Sequence, residues 1–281
     1  MASKGYEPVF WKDFTAGYLG GIVNILAGQP FDIVKVRLQT SGGGSMVSVF
    51  KNVIKVEGMS ALWKGSSFPL IFYGLCSSVM FPVKEKIGHL FKNNKDEKLK
   101  YWQLYVAGGM GGVAQGFISC PMEHIRIRMQ IQTPTFSPYK NSLDCFLKIF
   151  KEHGVAGVYK GFTLTMMREF FLYGAYFGVY DIVSQKLPGT NPVLLAIIGG
   201  LSGMTAWLHG GFIDTLKSKM QADNLSSPKY PSLISLKSEL GFSTLSRGFG
   251  AGLSRAFFVN VPTFAAYEIA QKCLYSKKTC H

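Results

Sequence analysis

Residues 30–39 read PFDIVKVRLQ, and the pattern returns as PMEHIRIRMQ at residues 121–130 and as FIDTLKSKMQ at residues 212–221. The three copies start at positions 30, 121 and 212, so both offsets are 91 residues. In each copy an acidic residue precedes a basic residue by three positions, and a glutamine ends the motif. Self-similarity at a fixed offset indicates copies of one supersecondary unit. The sequence therefore predicts three equivalent units.

Two further features repeat in the same order. A Gly-x-x-x-Gly pair begins at positions 17, 108 and 199, again 91 residues apart. This spacing of small residues lets helix backbones approach closely in lipid. A second motif reads WKG at residues 63–65, YKG at 159–161 and SRG at 246–248. Agreement among several motifs makes the threefold repeat specific, where one copy alone would be a weak signal.

The distribution of charge favours a membrane protein. The 281-residue chain is 47% hydrophobic and 16% charged, whereas an average soluble domain is about a quarter charged. Stretches of 18, 19, 22 and 27 residues without Asp, Glu, Lys or Arg follow Asp13, Lys64, Lys100 and Lys186. A spanning helix needs roughly 20 mostly apolar residues. Four such stretches in one chain argue against a soluble fold.

We predict an all-α membrane protein with six transmembrane helices in three pseudo-symmetric two-helix repeats. In each repeat an apolar helix continues into a basic one, a polar loop with a short amphipathic helix follows, and a second apolar helix closes the unit. The domain covers residues 1–281, with repeats at 10–95, 101–188 and 192–277. The expected spans are residues 11–40, 66–92, 101–132, 162–187, 193–223 and 249–275.

The first motif predicts a ring of ion pairs. Its acid and base share one face of a helix, so both can reach a neighbouring helix. Where proline kinks the helices, three copies converge, and the acid of one copy meets the base of the next. The expected pairs are Asp32–Arg126, Glu123–Lys217 and Asp214–Lys35. Because partly solvated ion pairs are individually weak, such a ring can open and close as a gate.

Over essentially its whole length the chain resembles the mitochondrial carrier family. The resemblance rests on Pro-x-[Asp/Glu]-x-x-[Lys/Arg]-x-[Lys/Arg], which has two full copies and one with Phe212 in place of proline, and on the aromatic-basic-glycine motif, where Ser246 replaces an aromatic residue. It implies a threefold helical barrel in the inner mitochondrial membrane, alternating access and a matrix-side gate. The repeated glutamines are then expected to brace the ion pairs: Gln39, Gln130 and Gln221.

Charges inside the fourth and sixth spans mark the expected substrate site. A charge near the bilayer centre costs at least about 2.5 kcal/mol on insertion scales, so it usually faces a polar cavity. By resemblance to the family, the substrate contacts are Phe72, Tyr73, Arg168, Glu169 and Arg255. An adjacent Arg and Glu can hold a carboxylate and an ammonium together. The alternative is that Arg168 and Glu169 only pair with each other.

The Arg168-Glu169 pair resembles the amino-acid and carnitine/acylcarnitine branch of the family, and EHIRIRMQ resembles a fungal glycine-linked subgroup. The resemblance implies exchange of a small zwitterionic metabolite, and leaves an amino acid and a carnitine ester both open. A second hypothesis is a carrier-fold subunit that no longer transports and belongs to a larger membrane assembly, such as a respiratory-chain complex. We expect no cofactor, metal site or enzymatic activity, since no nucleophile–base pair, metal cluster or phosphate loop appears.

The opposite, cytoplasmic side is expected to have a weak gate. The family's [Phe/Tyr]-[Asp/Glu]-x-x-[Lys/Arg] motif keeps its acids as Glu85, Asp181 and Glu268. Gly88, Ser184 and Gln271 stand where its bases belong. A weak outer gate predicts a carrier that rests open to that side.

Membrane lipids are the expected binding partners besides the substrate. The formal net charge of +14 suits anionic headgroups, and we expect no nucleic-acid partner. The second motif precedes helix N-termini, where free N–H groups and the helix dipole favour phosphate. By resemblance cardiolipin binds there, and the residues concerned are Lys64, Gly65, Lys160, Gly161, Arg247 and Gly248. The alternative is a helix start with a snorkelling base.

Overall fold

A computed structural model describes residues 10–41, 44–92, 97–187, 192–239, 241–259, 262–263, 270 and 273. The α-helices are α1 Phe10–Ser41, α2 Met46–Glu57, α3 Ser67–Leu90, α4 Tyr101–Ile131, α5 Ser142–Val158, α6 Phe162–Lys186, α7 Pro192–Ala222, α8 Phe242–Leu245 and α9 Phe249–Phe258. Short 3-10 helices cover Met59–Trp63 and Ile234–Glu239. The first five predicted spans agree with long helices to within two residues. The end of the sixth span and Glu268 lie outside the described residues.

The long helices form a closed ring. Helix α1 packs on α3, α3 on α4, α4 on α6, α6 on α7, α7 on α9, and α9 returns to α1. This is the order of the chain, with the surface helices α2 and α5 outside the ring. The arrangement is the all-α barrel that the threefold repeat predicts.

Glycines of α4 bring its backbone close to the backbones of both neighbouring helices. A Cβ on Gly112 would lie 2.6 Å from the carbonyl oxygen of Glu169 in α6, and one on Gly111 would lie 2.8 Å from that of Met80 in α3. A real side chain cannot approach a backbone oxygen so closely, so α4 can lie against both neighbours only with glycine here. In the first repeat Gly17 has no described atom within 4 Å of such a Cβ, whereas a Cβ on Gly21 would lie 1.9 Å from Cε1 of Tyr73. The first repeat therefore uses only the second glycine of its pair for close packing.

The surface helices are capped and anchored. Ser45 caps α2 by accepting a hydrogen bond from the Ser48 amide, and Asn141 caps α5 through the Asp144 amide. Each cap satisfies an N–H group that the first helical turn leaves unpaired. Ile33 and Leu62 join α1 to the α2 region in one buried cluster, and an equivalent cluster joins α4 to α5. These clusters fix the loops that carry the second motif.

Length and apolar composition alone mark one described helical segment, Met59–Leu90, as able to cross a membrane. Residues 101–122 of α4 contain no charged residue, but their glycines and polar residues such as Gln115 lower the mean hydropathy. Assignment of the remaining spans depends on the repeat and on the closed ring.

Candidate functional site

The three predicted ion pairs form at one end of the barrel. Lys35 Nζ lies 3.0 Å from Asp214 Oδ2, and Arg126 Nη2 lies 2.5 Å from Asp32 Oδ2. Lys217 pairs with Glu123. Each acid therefore meets the base of the next repeat, and the six residues close a ring. We call Asp32, Lys35, Glu123, Arg126, Asp214 and Lys217 the inner ring.

The inner ring is buried on one side and partly solvated on the other. The Asp214 and Lys217 side chains are each only 2% exposed, whereas the exposed fractions of Lys35, Arg126 and Glu123 are 13–18%. Each pair therefore has one well-buried member and one that keeps some contact with solvent, in agreement with the prediction of partly solvated pairs. Breaking one partner of a buried pair is costly, because it leaves the other charge uncompensated in a low dielectric.

Only one of the three repeated glutamines braces an ion pair. Gln39 Nε2 donates to Asp214 Oδ2 over 3.0 Å. Gln221 instead donates to the Lys160 carbonyl oxygen, and the Gln130 amide has no hydrogen-bond partner among the described residues. The prediction for Gln130 and Gln221 is therefore wrong. A glutamine that the motif did not mark takes this role beside Asp32, since Gln29 accepts a hydrogen bond from Arg126.

Arg168 and Glu169 lie buried above the inner ring. Arg168 Nη2 lies 2.5 Å from Glu169 Oε1 and 2.8 Å from Glu123 Oε1, so Arg168 does more than pair with its neighbour. Glu169 also accepts hydrogen bonds from Ser119 over 3.0 Å and from Gln115 over 3.2 Å. With Asp214 Oδ1 at 3.7 Å from its Nη1 atom, the Arg168 guanidinium has three carboxylates around it.

Arg255 of α9 reaches the ring from the other side. Its Nε lies 3.0 Å from Asp32 Oδ2, and its Nη2 donates to Asn24 Oδ1 over 3.3 Å. The side chain is 30% exposed, against 10% for Arg168. No described residue accepts a hydrogen bond from its Nη1 atom. Arg255 therefore has donors to spare toward the barrel interior.

A cavity of about 660 Å³ lies above the inner ring. Tyr73, Arg168, Glu169 and Arg255 all line it, so four of the five predicted contacts meet at one space. Phe72 does not line the cavity, and its ring packs on Phe68 at 5.5 Å between centroids. The structure therefore gives no support to Phe72 as a substrate contact, because its ring packs against a neighbouring aromatic side chain instead of lining the cavity.

Comparison with known proteins decides the family. The chain matches the family described as Mitochondrial carrier protein over residues 6–95, 97–191 and 188–278. It belongs to the mitochondrial carrier family. Members of this family are transporters, so the carrier is not an enzyme, and a mitochondrial membrane is its location.

Several of its relatives are named after the amino acids that they transport. The mitochondrial glycine transporter of Saccharomyces cerevisiae is 36% identical over 283 residues, which cover 94% of this chain and 91% of that protein. The glutamate/glycine mitochondrial carrier of Schizosaccharomyces pombe is 34% identical over 276 residues, with 92% of each chain covered. The mitochondrial basic amino acids transporter of Mus musculus is 34% identical over 274 residues, covering 92% of this chain and 88% of that one.

The other end of the carrier's cavity is built from different residues than the motif predicts. Asp181 lines the cavity, but its base is Lys84, with 2.6 Å between Nζ and Oδ2. Glu85 is exposed and does not line the cavity, so its predicted gate role is not supported, and Glu268 lies outside the described residues. The sequence analysis missed Lys84 because it searched three positions after the acid, whereas Lys84 directly precedes Glu85. We call Lys84 and Asp181 the outer pair.

The second motif supplies left-handed glycines and bases that already have protein partners. Gly65, Gly161 and Gly248 have φ values of 79°, 79° and 74°. Lys64 pairs with Glu57 at 2.5 Å, and Lys160 donates to the carbonyl oxygen of Asn224 over 2.9 Å. Burial, only partly offset by the Asp223 carboxylate, lowers the pKa of Lys160. The basic heads of these two lysines are thus engaged inside the protein rather than extended toward lipid.

The last basic residue of the first motif has a role that the sequence analysis missed. Arg37 donates to the carbonyl oxygens of Gln130 and Gln132 over 3.1 and 3.0 Å, at the end of α4. Arg128 likewise donates to the carbonyl oxygen of Asp223, just past the end of α7. A cation at a helix C-terminus satisfies unpaired carbonyls and complements the dipole. The first two copies of the motif therefore join their repeat to the next one twice, through the acid and through the last base.

Proposed function

We propose that this carrier exchanges an amino acid across the inner mitochondrial membrane by alternating access. The observation that carries the proposal is the cavity above the closed inner ring, in which Arg255 offers hydrogen-bond donors and Glu169 offers carboxylate oxygens. A zwitterion needs both. In water-poor surroundings such charge-assisted contacts are about twice as strong as neutral ones.

The substrate carboxylate is assigned to Arg255. Arg168 is surrounded by three carboxylates, those of Glu123 and Glu169 at its Nη2 atom and that of Asp214 at 3.7 Å from its Nη1 atom, and their negative charge disfavours a further anion there. Arg255 keeps Nη1 for a ligand while Nε and Nη2 hold Asp32 and Asn24. A planar guanidinium that is held in this way is well suited to carboxylate geometry. Arg168 then acts by positioning Glu169.

The substrate ammonium is assigned to Glu169. Its Oε1 atom accepts hydrogen bonds from Arg168 and Ser119, whereas Oε2 accepts only from Gln115. A carboxylate oxygen accepts about two hydrogen bonds, so Oε2 retains capacity for a cation. Tyr173 lines the cavity close by and offers an aromatic face.

Gating follows from contacts that the binding residues share with the inner ring. Arg255 contacts Asp32, and Arg168 contacts Glu123, so a ligand that draws either arginine toward itself weakens one ring pair. A ligand shifts an equilibrium between two states only by its difference in affinity for them. Substrate contacts that replace ring contacts provide that difference, which explains how a buried ring can open only when substrate is present.

An amino acid is favoured over a carnitine ester. The relatives named above carry glycine, glutamate and basic amino acids in their names. Carnitine esters also carry a carboxylate and an ammonium, but their trimethylammonium has no N–H to donate, whereas the primary ammonium of an amino acid can donate a hydrogen bond to Oε2 of Glu169.

Uptake into proteoliposomes tests the proposal. The purified carrier should exchange labelled glycine, glutamate or lysine, with carnitine as the alternative substrate. Arg255→Gln and Glu169→Gln should each reduce uptake at least tenfold, whereas Lys151→Gln, on the exposed face of α5, should not. Uptake of carnitine, with no uptake of the three amino acids, would show that carnitine is the substrate and not an amino acid. No uptake at all, with co-purification in a large complex such as a respiratory-chain assembly, would favour the non-transporting subunit.

Cardiolipin binding is a separate part of the proposal. Gly161 and Gly248 precede α6 and α9 without a side-chain cap, so backbone N–H groups of the first turn remain for phosphate. Since Lys160 is engaged within the protein, these amides rather than the lysine head would hold the lipid. Addition of cardiolipin should raise the Tm of the detergent-solubilised carrier more than equal phosphatidylcholine does. Equal effects of both lipids would count against a specific site.

A further inference from the structure

The outer end of the cavity contains a complete binding site for an ammonium group, and the ammonium in it belongs to the protein. Lys84 Nζ lies 2.6 Å from Asp181 Oδ2 and 3.9 Å from the centroid of the Phe177 ring. A carboxylate beside an aromatic face is the combination that binds organic cations. The two charged side chains are 17% and 22% exposed, so the site is open to the cavity.

The outer pair is poorly suited to be only a gate. A gate of the inner-ring type links three repeats, whereas Lys84 and Asp181 link only α3 to α6. In the part of the chain that the structure describes, no other ion pair lines this end of the cavity. The inner ring, by contrast, joins all three repeats.

A stripe of tyrosines leads from this site to the substrate contacts. Tyr180, Tyr176 and Tyr173 follow one another on α6 at spacings of four and three residues, and all three line the cavity. Residues at such spacings share one helix face. Tyr176 and Tyr180 stack with 6.0 Å between centroids and 5° between planes. The stripe ends at Glu169, about 18 Å from Asp181 at 1.5 Å per residue.

We infer that Asp181 and Phe177 form an entry subsite for the ammonium group of the incoming amino acid, and that Lys84 occupies this subsite when no substrate is present. The inference rests on the proposed function, because the captured ammonium passes along the tyrosine faces to Glu169. The separation of about 18 Å is longer than an amino acid, so the two sites act one after the other. Lys84 is then a tethered competitor.

This role makes a prediction that a simple gate does not. Lys84→Met keeps the length of the side chain and removes its charge, so it vacates the subsite. Asp181→Asn keeps the shape and removes the anion, so it destroys the subsite. If the pair is only a gate, both variants break the same contact and act in the same direction. If Lys84 competes with substrate, the two variants act in opposite directions.

The first measurement is the KM for external amino acid in proteoliposomes. Lys84→Met should lower KM and Asp181→Asn should raise it, each by about three- to fivefold, the size of one partly exposed ion-pair or cation–π contact. The double variant should behave like Asp181→Asn, because Lys84 has nothing left to block. Lys86→Met, the same change at an exposed position two residues away, should leave KM unchanged. Parallel changes in the two single variants would overturn the inference.

A second measurement does not depend on transport. Pentylamine has an ammonium but no carboxylate, so it can bind the subsite without using Arg255. It should raise the Tm of purified Lys84→Met protein more than that of the wild type, and should leave Lys84→Met/Asp181→Asn unchanged. Stabilisation of Lys84→Met without any amino-acid uptake would sink the transport proposal and leave the cation site. If the carrier takes up amino acids but pentylamine stabilises Lys84→Met no more than the wild type, the cation site alone is overturned.

Discussion

Arg168 Nη2 lies 2.8 and 2.9 Å from the two carboxylate oxygens of Glu123, and so joins the cavity to the inner ring through one guanidinium. Glu123 also holds Lys217, which is 2% exposed. One carboxylate thus serves a cation of the cavity and a cation of the ring. Any motion that opens the ring at Glu123 must also change the environment of Glu169.

Glu123→Gln should destabilise the carrier and reduce transport. The change leaves Lys217 and Arg168 short of an anion in a buried site, and breaking a buried pair in this way costs about 3–5 kcal/mol. Thermal unfolding in detergent and initial uptake rates measure the two effects. Glu152→Gln makes the same change on a side chain that is 66% exposed, and should alter stability by less than about 0.5 kcal/mol. Similar losses of stability and uptake in both variants would show that the buried contacts of Glu123 contribute no more than those of an exposed residue.

Exchange of the charges of one ring pair should recover function that each single change loses. Lys35→Asp puts two acids together and Asp214→Lys two bases, where Lys35 and Asp214 now lie 3.0 Å apart. Each single variant should lose most uptake, and the double variant should regain at least part of it, because residues in contact give non-additive effects. Tm values should follow the same order. A double variant that equals the sum of the two losses would mean that the attraction between these two residues is unimportant.

Gly248→Ala should destabilise the barrel through both backbone and packing. Gly248 has φ 74°, where an L-residue costs about 1–2 kcal/mol. A Cβ would also lie 2.9 Å from the Lys35 carbonyl oxygen and 3.0 Å from Gln39 Cγ, next to the inner ring. Gly250, two residues further on in α9, has no described atom within 4 Å of such a Cβ. Gly250→Ala should therefore be neutral or stabilise by up to about 1 kcal/mol, and thermal unfolding of both variants checks the contrast.

Much of the inner ring could be predicted from the sequence because its residues repeat at one offset. Asp32, Glu123 and Asp214 occupy the same helical position in three copies, so the barrel must bring them to one end. The burial of the ring could not be predicted in this way, since it depends on which side chains of neighbouring helices cover it. The sequence marks Arg255 as a charge in an apolar stretch, but its contact with Asp32 is visible only in the structure.

The outer pair shows where pattern reasoning stops. Lys84 follows no repeat, and one position along a helix changes the direction of a side chain by about 100°. The motif therefore pointed to Glu85, which is exposed, and overlooked its neighbour. The tyrosine stripe, by contrast, could have been predicted from the spacing of its residues. Tyr173, Tyr176 and Tyr180 are spaced by three and four residues, and so share the face that Glu169 begins.

The stabilising contribution of Glu57 should depend on pH. Glu57 accepts hydrogen bonds from Arg37 and Lys64, each over 2.5 Å, and its side chain is 4% exposed. Burial acts to raise the pKa of Glu57, but the hydrogen bonds from Arg37 and Lys64 outweigh it and hold the pKa below its ordinary value of 4.5. A carboxyl with a lower pKa in the folded chain stabilises the fold above the unfolded pKa, and this contribution is lost as pH falls through the folded pKa.

Glu57→Gln should accordingly lower the Tm by a constant amount near neutral pH, and the gap to the wild type should narrow below about pH 4.5. Thermal unfolding from pH 3 to pH 7 measures the gap. In an Arg37→Gln background the same change should produce a smaller gap with a weaker pH dependence, because one of the two donors is gone. A gap that stays constant down to pH 3 would show that Glu57 keeps its ordinary pKa, and that the α2 region is held in place by packing of Ile33 and Leu62 alone.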